Sequence, residues 1–150
     1  MNYKKDSLDQ IVLTPIGKIY TPYTSIEDCP SNTRHASPPS SIVLFNQYED
    51  ALLDITAASH LIILYWLHLA DRSALQSPTR RDGVVRGSFA TRTKDRPNPI
   101  GMGVVQLLNH ENRKLDVSGL DCINGSLLID IKPYIAKNDA FESASISWQK

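Results

Sequence analysis

At 150 residues the chain is the size of one domain, residues 1–150, enough to bury about two thirds of its unfolded surface. Sixteen basic residues match sixteen acidic ones, so the formal charge is zero and no global field draws the protein to nucleic acid or a membrane, and no DNA partner is expected. The longest apolar run, residues 61–67, falls far short of the roughly 20 residues that a bilayer span needs. Cys29 and Cys122 form no CxxC, so neither a zinc site nor a disulfide framework is signalled. The opening MNYKKD is polar and leads into no signal-type apolar core, which makes a reducing cytoplasm the expected location.

Residues 11–20 read as extended, with Pro15 and Gly17 marking a bulge or an edge. Residues 21–40 hold Pro22, Pro30, Pro38 and Pro39 and little apolar material, the composition of a long loop. A short β-branched strand follows at 41–45, then a short helix at 49–56 with Leu52, Leu53 and Ile55 as its apolar positions. Residues 60–67 are the most hydrophobic stretch and read as a central strand buried on both faces, with Tyr65 and Trp66 in the core. Residues 70–82 form a polar, basic loop. Strands are expected at 83–90, 102–110, 114–120 and 127–132. The NHENR run at 109–113 looks like a hairpin connection, and Asn124-Gly125 is a strong turn signal. The segment after Pro133 is polar and reads as loosely attached. About seven strands with one or two short helices and long loops argue for a mostly β fold, either a barrel or a sandwich.

The most informative stretch is GSFATRTKDRPNPIG, residues 87–101. Pro97 and Pro99 each fix φ and push the preceding residue into an extended conformation, so Arg96-Pro97-Asn98-Pro99 is a rigid loop rather than a helix. Arg80, Arg81, Arg86, Arg92, Lys94 and Arg96 face only Asp82 and Asp95 within residues 80–96, which leaves that window at net charge +4. A rigid cationic loop suits an anionic or polar ligand, and a local basic face on a neutral protein suits a phosphate-bearing partner bound at one place. A solvated charged face is the plain alternative. No GxGxxG follows a strand, and there is no Walker A run and no HExxH. His60 and His68 lie on one predicted strand roughly 26 Å apart, too far to share a metal. Asp54, Asp121 and Asp130 are scattered carboxylates. Asp130 interrupts an apolar strand, where it is either solvated or orients the basic loop.

Together with LDCINGSLLIDIKPYI at 120–135, the GSFATRTKDRPNPIG block resembles the TsaA-like family, whose best-understood members are S-adenosylmethionine-dependent tRNA methyltransferases of the TrmO type. Pro15-Ile16-Gly17 with Thr21-Pro22-Tyr23, the strand from Ser41 to Tyr48, and SHLIILYWLH at 59–68 match the family in the same order. The resemblance covers residues 13–135. It implies a small single-sheet β-barrel that dimerises and that binds S-adenosyl-L-methionine without a Rossmann domain. It further implies methyl transfer to the exocyclic nitrogen of a threonylcarbamoyl-modified adenosine beside the tRNA anticodon. Two alternatives stay open: a methyltransferase of this fold acting on another RNA or a small molecule, and a non-enzymatic S-adenosylmethionine-binding regulatory module.

Carried over position by position, the family's cofactor contacts fall on Pro30, Ser31 and Asn32 in the first long loop, and on Leu67 and His68 at the strand end. They continue with Arg92, Met102 and the turn Ile123-Asn124-Gly125-Ser126. Arg80, Arg81, Arg86 and Arg96 are the expected RNA-phosphate contacts. Departures from the family pattern gather at the pocket rim. Ser31 and Asn32 stand where the family has arginine and glutamine, Gly103 replaces a serine, and Asn124 replaces an acid. Arg34 is near enough in sequence to supply the missing charge. No general base and no metal ligand are assigned.

Overall fold

The structure, a computed structural model, describes residues 11–30 and 38–149. Its strands are β1 (Gly17–Tyr20), β2 (Ser40–Leu44), β3 (His60–Trp66), β4 (Gln76–Pro78), β5 (Val85–Gly87), β6 (Ile100–Glu111), β7 (Lys114–Ser118) and β8 (Leu127–Pro133). Six of them close into an antiparallel barrel in the order β1-β2-β7-β6-β3-β8, and β4 and β5 form a separate two-stranded ribbon. Burial alternates residue by residue along β1, β2, β3, β7 and the first half of β6, so each strand sends one face inward. The interior is filled by Ile19, Ile42, Leu61, Ile63, Val105, Leu115, Val117 and Leu128, all fully buried. Each such side chain contributes about 1.5–3 kcal/mol relative to exposure. Closure also removes the free sheet edges that an open sheet of these strands would present.

The structure departs from several sequence expectations. The strand at 60–67 is buried on one face only: Leu61, Ile63 and Tyr65 point inward, while Ile62, Leu64 and Trp66 lie partly exposed on the outer wall. A barrel has one interior, so continuous hydrophobicity does not mean two covered faces. The helix expected at 49–56 is instead a pair of 3-10 turns, Asn46–Leu52 and Ile55–Ala57, separated at Asp54, whose φ of 61° is left-handed. The strand expected at 83–90 shrinks to β5, whose partner β4 lies inside the segment read as a loop. Strand structure in residues 11–20 begins only at Gly17, beyond Pro15. The segment after Pro133 is almost wholly exposed; a short helix α1 (Ala136–Asp139) leads to a 3-10 turn, Ser147–Gln149, that touches the basic residues. There the Trp148 ring lies 4.2 Å from the Arg86 guanidinium, and Arg81 donates to the Gln149 carbonyl at 2.9 Å. The hairpin at 109–113 is as expected and tightens to Asn112-Arg113 between Glu111 and Lys114. Asp130 pairs with Lys132 at 2.6 Å, and Cys29 and Cys122 are free thiols.

Two glycines are required by geometry. The Tyr65 ring lies over Gly101, where an added Cβ would come within 2.5 Å of the ring Cζ. Gly125 closes the β7–β8 turn at φ 84°, a left-handed conformation that costs other residues about 1–2 kcal/mol. Gly101→Ala should therefore lower stability by about 1–3 kcal/mol through overpacking, and Gly125→Ala by about 1–2 kcal/mol, both read by urea denaturation. A Gly101→Ala protein within about 0.5 kcal/mol of the parent would show that the Tyr65 ring is not wedged there.

Candidate functional site

Strand register decides which loops meet. Tyr65 and Trp66, ending β3, pair with Gly101 and Ile100, which open β6, and Tyr65 also lies opposite Leu128 near the start of β8. Ser41, early in β2, faces Tyr20 at the end of β1, and Ser40 faces Val117 near the end of β7. The segments after β1, after β3 and before β8 therefore all emerge at one end of the barrel. Pro30, Leu67, His68, Arg92, Met102 and residues 123–126 belong to this rim or its adjoining wall. Ser31 and Asn32, with Arg34, lie outside the described residues. Two open depressions of about 230 and 270 Å³ sit at the opposite end, beside Asn112 and beside Ser59, and gather none of these residues.

The rim segments are hydrogen-bonded to one another. Leu67 N–H donates to the Pro99 carbonyl at 2.9 Å, joining the end of β3 to the proline loop. Arg92 is exposed, and its Nη2 donates to the Met102 carbonyl at 3.4 Å, so these two candidates are neighbours. The turn before β8 is clamped to the chain leaving β1. Asn124 N–H donates to the Tyr23 carbonyl at 2.8 Å, Thr21 N–H to Asn124 Oδ1 at 3.2 Å, and Gly125 N–H to the Ile19 carbonyl at 2.8 Å. Asn124 and Gly125 remain exposed, whereas Ser126 is buried and its hydroxyl donates to the Ile123 carbonyl at 2.7 Å. Asn124 thus holds the turn in place at the position where the family pattern has an acid.

The basic residues have different fates. Arg96 turns inward, donating through Nη2 to the Ser88 and Thr91 carbonyls at 2.5 and 2.9 Å, which braces the proline loop from within. Its buried Nε has no partner among the described residues. Arg86 forms a two-pronged ion pair with Asp82 at 2.7 and 2.8 Å and stacks on Trp148. Neither presents a free cation at the surface as the sequence reading expected. Lys94 pairs with Asp95 at 2.7 Å, and Asp95 also accepts the Asp71 N–H at 2.9 Å. Arg80 is exposed and has no partner among the described residues, and Arg92 is exposed with a single long hydrogen bond.

One constellation escaped the sequence reading. Tyr65, taken as plain core, donates its hydroxyl to Asp121 Oδ1 at 2.5 Å. Burial pushes the Tyr65 phenol far above its ordinary range, with the Asp121 charge adding to the effect. Burial likewise raises the Asp121 carboxyl, opposed by the Tyr65 hydrogen bond and the Arg92 charge. Burial also pushes the Cys122 thiol up to about 12, and raises Cys29 and Tyr23, each of which feels the Asp121 charge. The two partners lie 56 residues apart, so no local motif joins them, although both fall inside the blocks that carry the resemblance. Among the described residues no group of three His, Cys, Asp or Glu side chains is placed to hold a metal ion.

Residues 18–140 match the family described as tRNA-methyltransferase O N-terminal domain. A probable S-adenosyl-L-methionine-binding protein of Archaeoglobus fulgidus is 41% identical over 138 residues, covering 92% of this chain and 38% of the relative. The tRNA (adenine(37)-N6)-methyltransferase of Homo sapiens is 38% identical over 101 residues, covering 65% of this chain and 23% of that enzyme. A solved structure of TrmO superposes with a TM-score of 0.81 at 29% identity, covering 93% of this chain and 64% of that one. The chain thus spans less than two thirds of each of these proteins. The chain belongs to the tRNA-methyltransferase O N-terminal domain family.

Proposed function

We propose that the protein is an S-adenosyl-L-methionine-dependent methyltransferase that methylates the exocyclic nitrogen of threonylcarbamoyladenosine beside the anticodon of tRNA. The observation that carries this reading is the convergence of Leu67, Arg92, Met102, Asn124 and Gly125 at one barrel end, from three separate segments of the chain. Family membership and the printed functions of the relatives support it from the other side. The residues fit the cofactor's chemistry. The exposed Asn124-Gly125 turn, its N–H groups already donated to Tyr23 and Ile19, offers carbonyl and side-chain contacts, Arg92 offers an exposed cation beside Asp121, and Leu67 and Met102 offer apolar surface. Bound there, S-adenosyl-L-methionine supplies a methyl group already activated on a sulfonium. The protein's task is then positioning, for which a braced rim is well suited. An anticodon loop is single-stranded and presents its base without melting a duplex.

Arg80 and Arg92 are the leading contacts for RNA phosphate and cofactor, whereas Arg86 and Arg96 act by holding the ribbon and the loop in shape. A homodimer is part of the proposal. The outer wall beside the rim carries Ile62, Leu64 and Trp66 on β3, next to Met102 and Val104 on β6, which are 47% and 37% exposed. A second copy covering this apolar strip would place two rims close together. The expected compartment is the cytoplasm, where tRNA is modified. The Archaeoglobus relative is named for cofactor binding alone, which favours a binding module as the second reading.

Incubation with labelled S-adenosyl-L-methionine and tRNA from a strain lacking the enzyme should put one methyl on the nucleoside beside the anticodon, identified by mass spectrometry. Binding of the cofactor without methylation of any tRNA would favour the binding module. Arg80→Ala should reduce the salt slope of tRNA binding by about 0.7 if it touches one phosphate of a single-stranded loop. An unchanged slope would remove Arg80 from the interface. Sedimentation equilibrium should give a dimer for the parent and a monomer for Val104→Glu. A monomeric parent at tens of micromolar would end the dimer proposal.

A further inference from the structure

Resting on the methyltransferase reading above, we propose that Asp121 is the catalytic proton acceptor, with Tyr65 as its positioning residue. An exocyclic nitrogen attached to a purine, and in the carbamoylated base also to a carbonyl, has its lone pair delocalised and is a weak nucleophile. It must lose its proton as the new bond forms, so a base within hydrogen-bond reach is needed. The rim offers few candidates. Tyr65, Tyr23, Cys29 and Cys122 all face Asp121 and all have raised pKa values, so each keeps its proton at neutral pH. Arg92, the cation facing the same carboxylate, has no acceptor capacity. His68 stands exposed past the end of β3 with no hydrogen-bond partner among the described residues.

Asp121 is held as a base should be. Its neighbours Leu120 and Cys122 are buried, and the Cys122 carbonyl accepts the Thr21 hydroxyl at 2.8 Å. The carboxylate itself is only partly buried. Oδ1 takes the Tyr65 hydroxyl at 2.5 Å, and no second side-chain hydrogen bond reaches it from the described residues. The carboxylate also feels its own backbone N–H and the Arg92 charge, and Oδ2, which no other residue's side chain engages among the described residues, is the oxygen that would take the substrate's proton. Tyr65 in turn is fixed by β3 and by its contact with Gly101. The raised Asp121 pKa moves the group toward the operating pH, where a base is most effective. In the step, the nitrogen lone pair forms the N–C bond to the methyl carbon as the C–S bond breaks. The C–S electron pair converts the sulfonium to a neutral thioether, and the nitrogen's proton passes to Asp121.

The test uses Asp121→Asn and Tyr65→Phe in the whole chain. In the parent, kcat should rise with pH through the Asp121 pKa and then level, because only the carboxylate form accepts the proton. Asp121→Asn should lower kcat by about 10²- to 10⁴-fold, abolish that limb, and leave S-adenosylhomocysteine affinity nearly unchanged. Removing the Tyr65 hydroxyl withdraws a hydrogen bond that favours the anion, so Tyr65→Phe should move the limb to higher pH. A carboxyl NMR titration of the ligand-free protein reads the same shift without turnover. An Asp121→Asn enzyme with parental kcat and pH profile would overturn the proposal. So would an Asp121 that titrates in the ordinary carboxylate range and ignores Tyr65→Phe. A parent that methylates no tRNA, with the titration as expected, would instead count against the substrate reading.

Discussion

β3 is hydrogen-bonded along both edges, to β6 over its whole length and to β8 across a register shift between Leu64 and Tyr65. This double pairing sets the geometry of the rim. It brings Leu67 to the proline loop, brings the start of β8 with its Asn124-Gly125 turn alongside, and aims the Tyr65 ring across Gly101 toward Asp121. Slipping β3 by one residue would turn Tyr65 outward and remove the hydroxyl from Asp121, because side chains alternate with a period of two. The glycine of the RPNPIG block is thus explained by a ring passing over it, and the tyrosine of the LYW block by the carboxylate it reaches.

Charge at this end is managed by internal commitment. The window from residue 80 to 96 looks like a cationic patch in sequence, yet Arg96 supports backbone carbonyls, Arg86 is paired and stacked, and Lys94 is paired. Such solvent-facing pairs contribute little to stability. Their effect is to hold the ribbon and the loop in one conformation. What remains for a ligand is smaller and more localised than the formal charge of the window, chiefly Arg80 and Arg92.

Much of the fold was legible because short apolar, β-branched runs at 41–45 and 127–132 and the alternation of Leu115 and Val117 in 114–120 mark strands. The Asn124-Gly125 turn and the 109–113 hairpin were legible from turn chemistry. The error on β3 arose because a run of seven apolar residues has no alternation to read, although its outer side chains are only partly covered. β4 was missed, and β5 read too long, because three-residue strands such as QSP and VRG carry almost no β signal. At the site, motif matching picked out Leu67, Arg92, Met102 and Asn124, which the fold places on one rim or its adjoining wall. It did not reveal that Arg96 and Ser126 turn inward, because motifs say nothing of side-chain direction. Nor did it find the Tyr65–Asp121 pair, which exists only once two strands and a loop distant in sequence meet.

In the proposed function, the rim formed by the end of β3, the proline loop and the turn before β8 holds the cofactor. Backbone amide shifts followed during titration with S-adenosylhomocysteine test it most directly. Saturable changes are expected at residues 67–68, 91–102 and 121–126, with the opposite end of the barrel unmoved. Changes clustered around Asn112 or Ser59 at that opposite end, or no saturable change up to millimolar ligand, would contradict it.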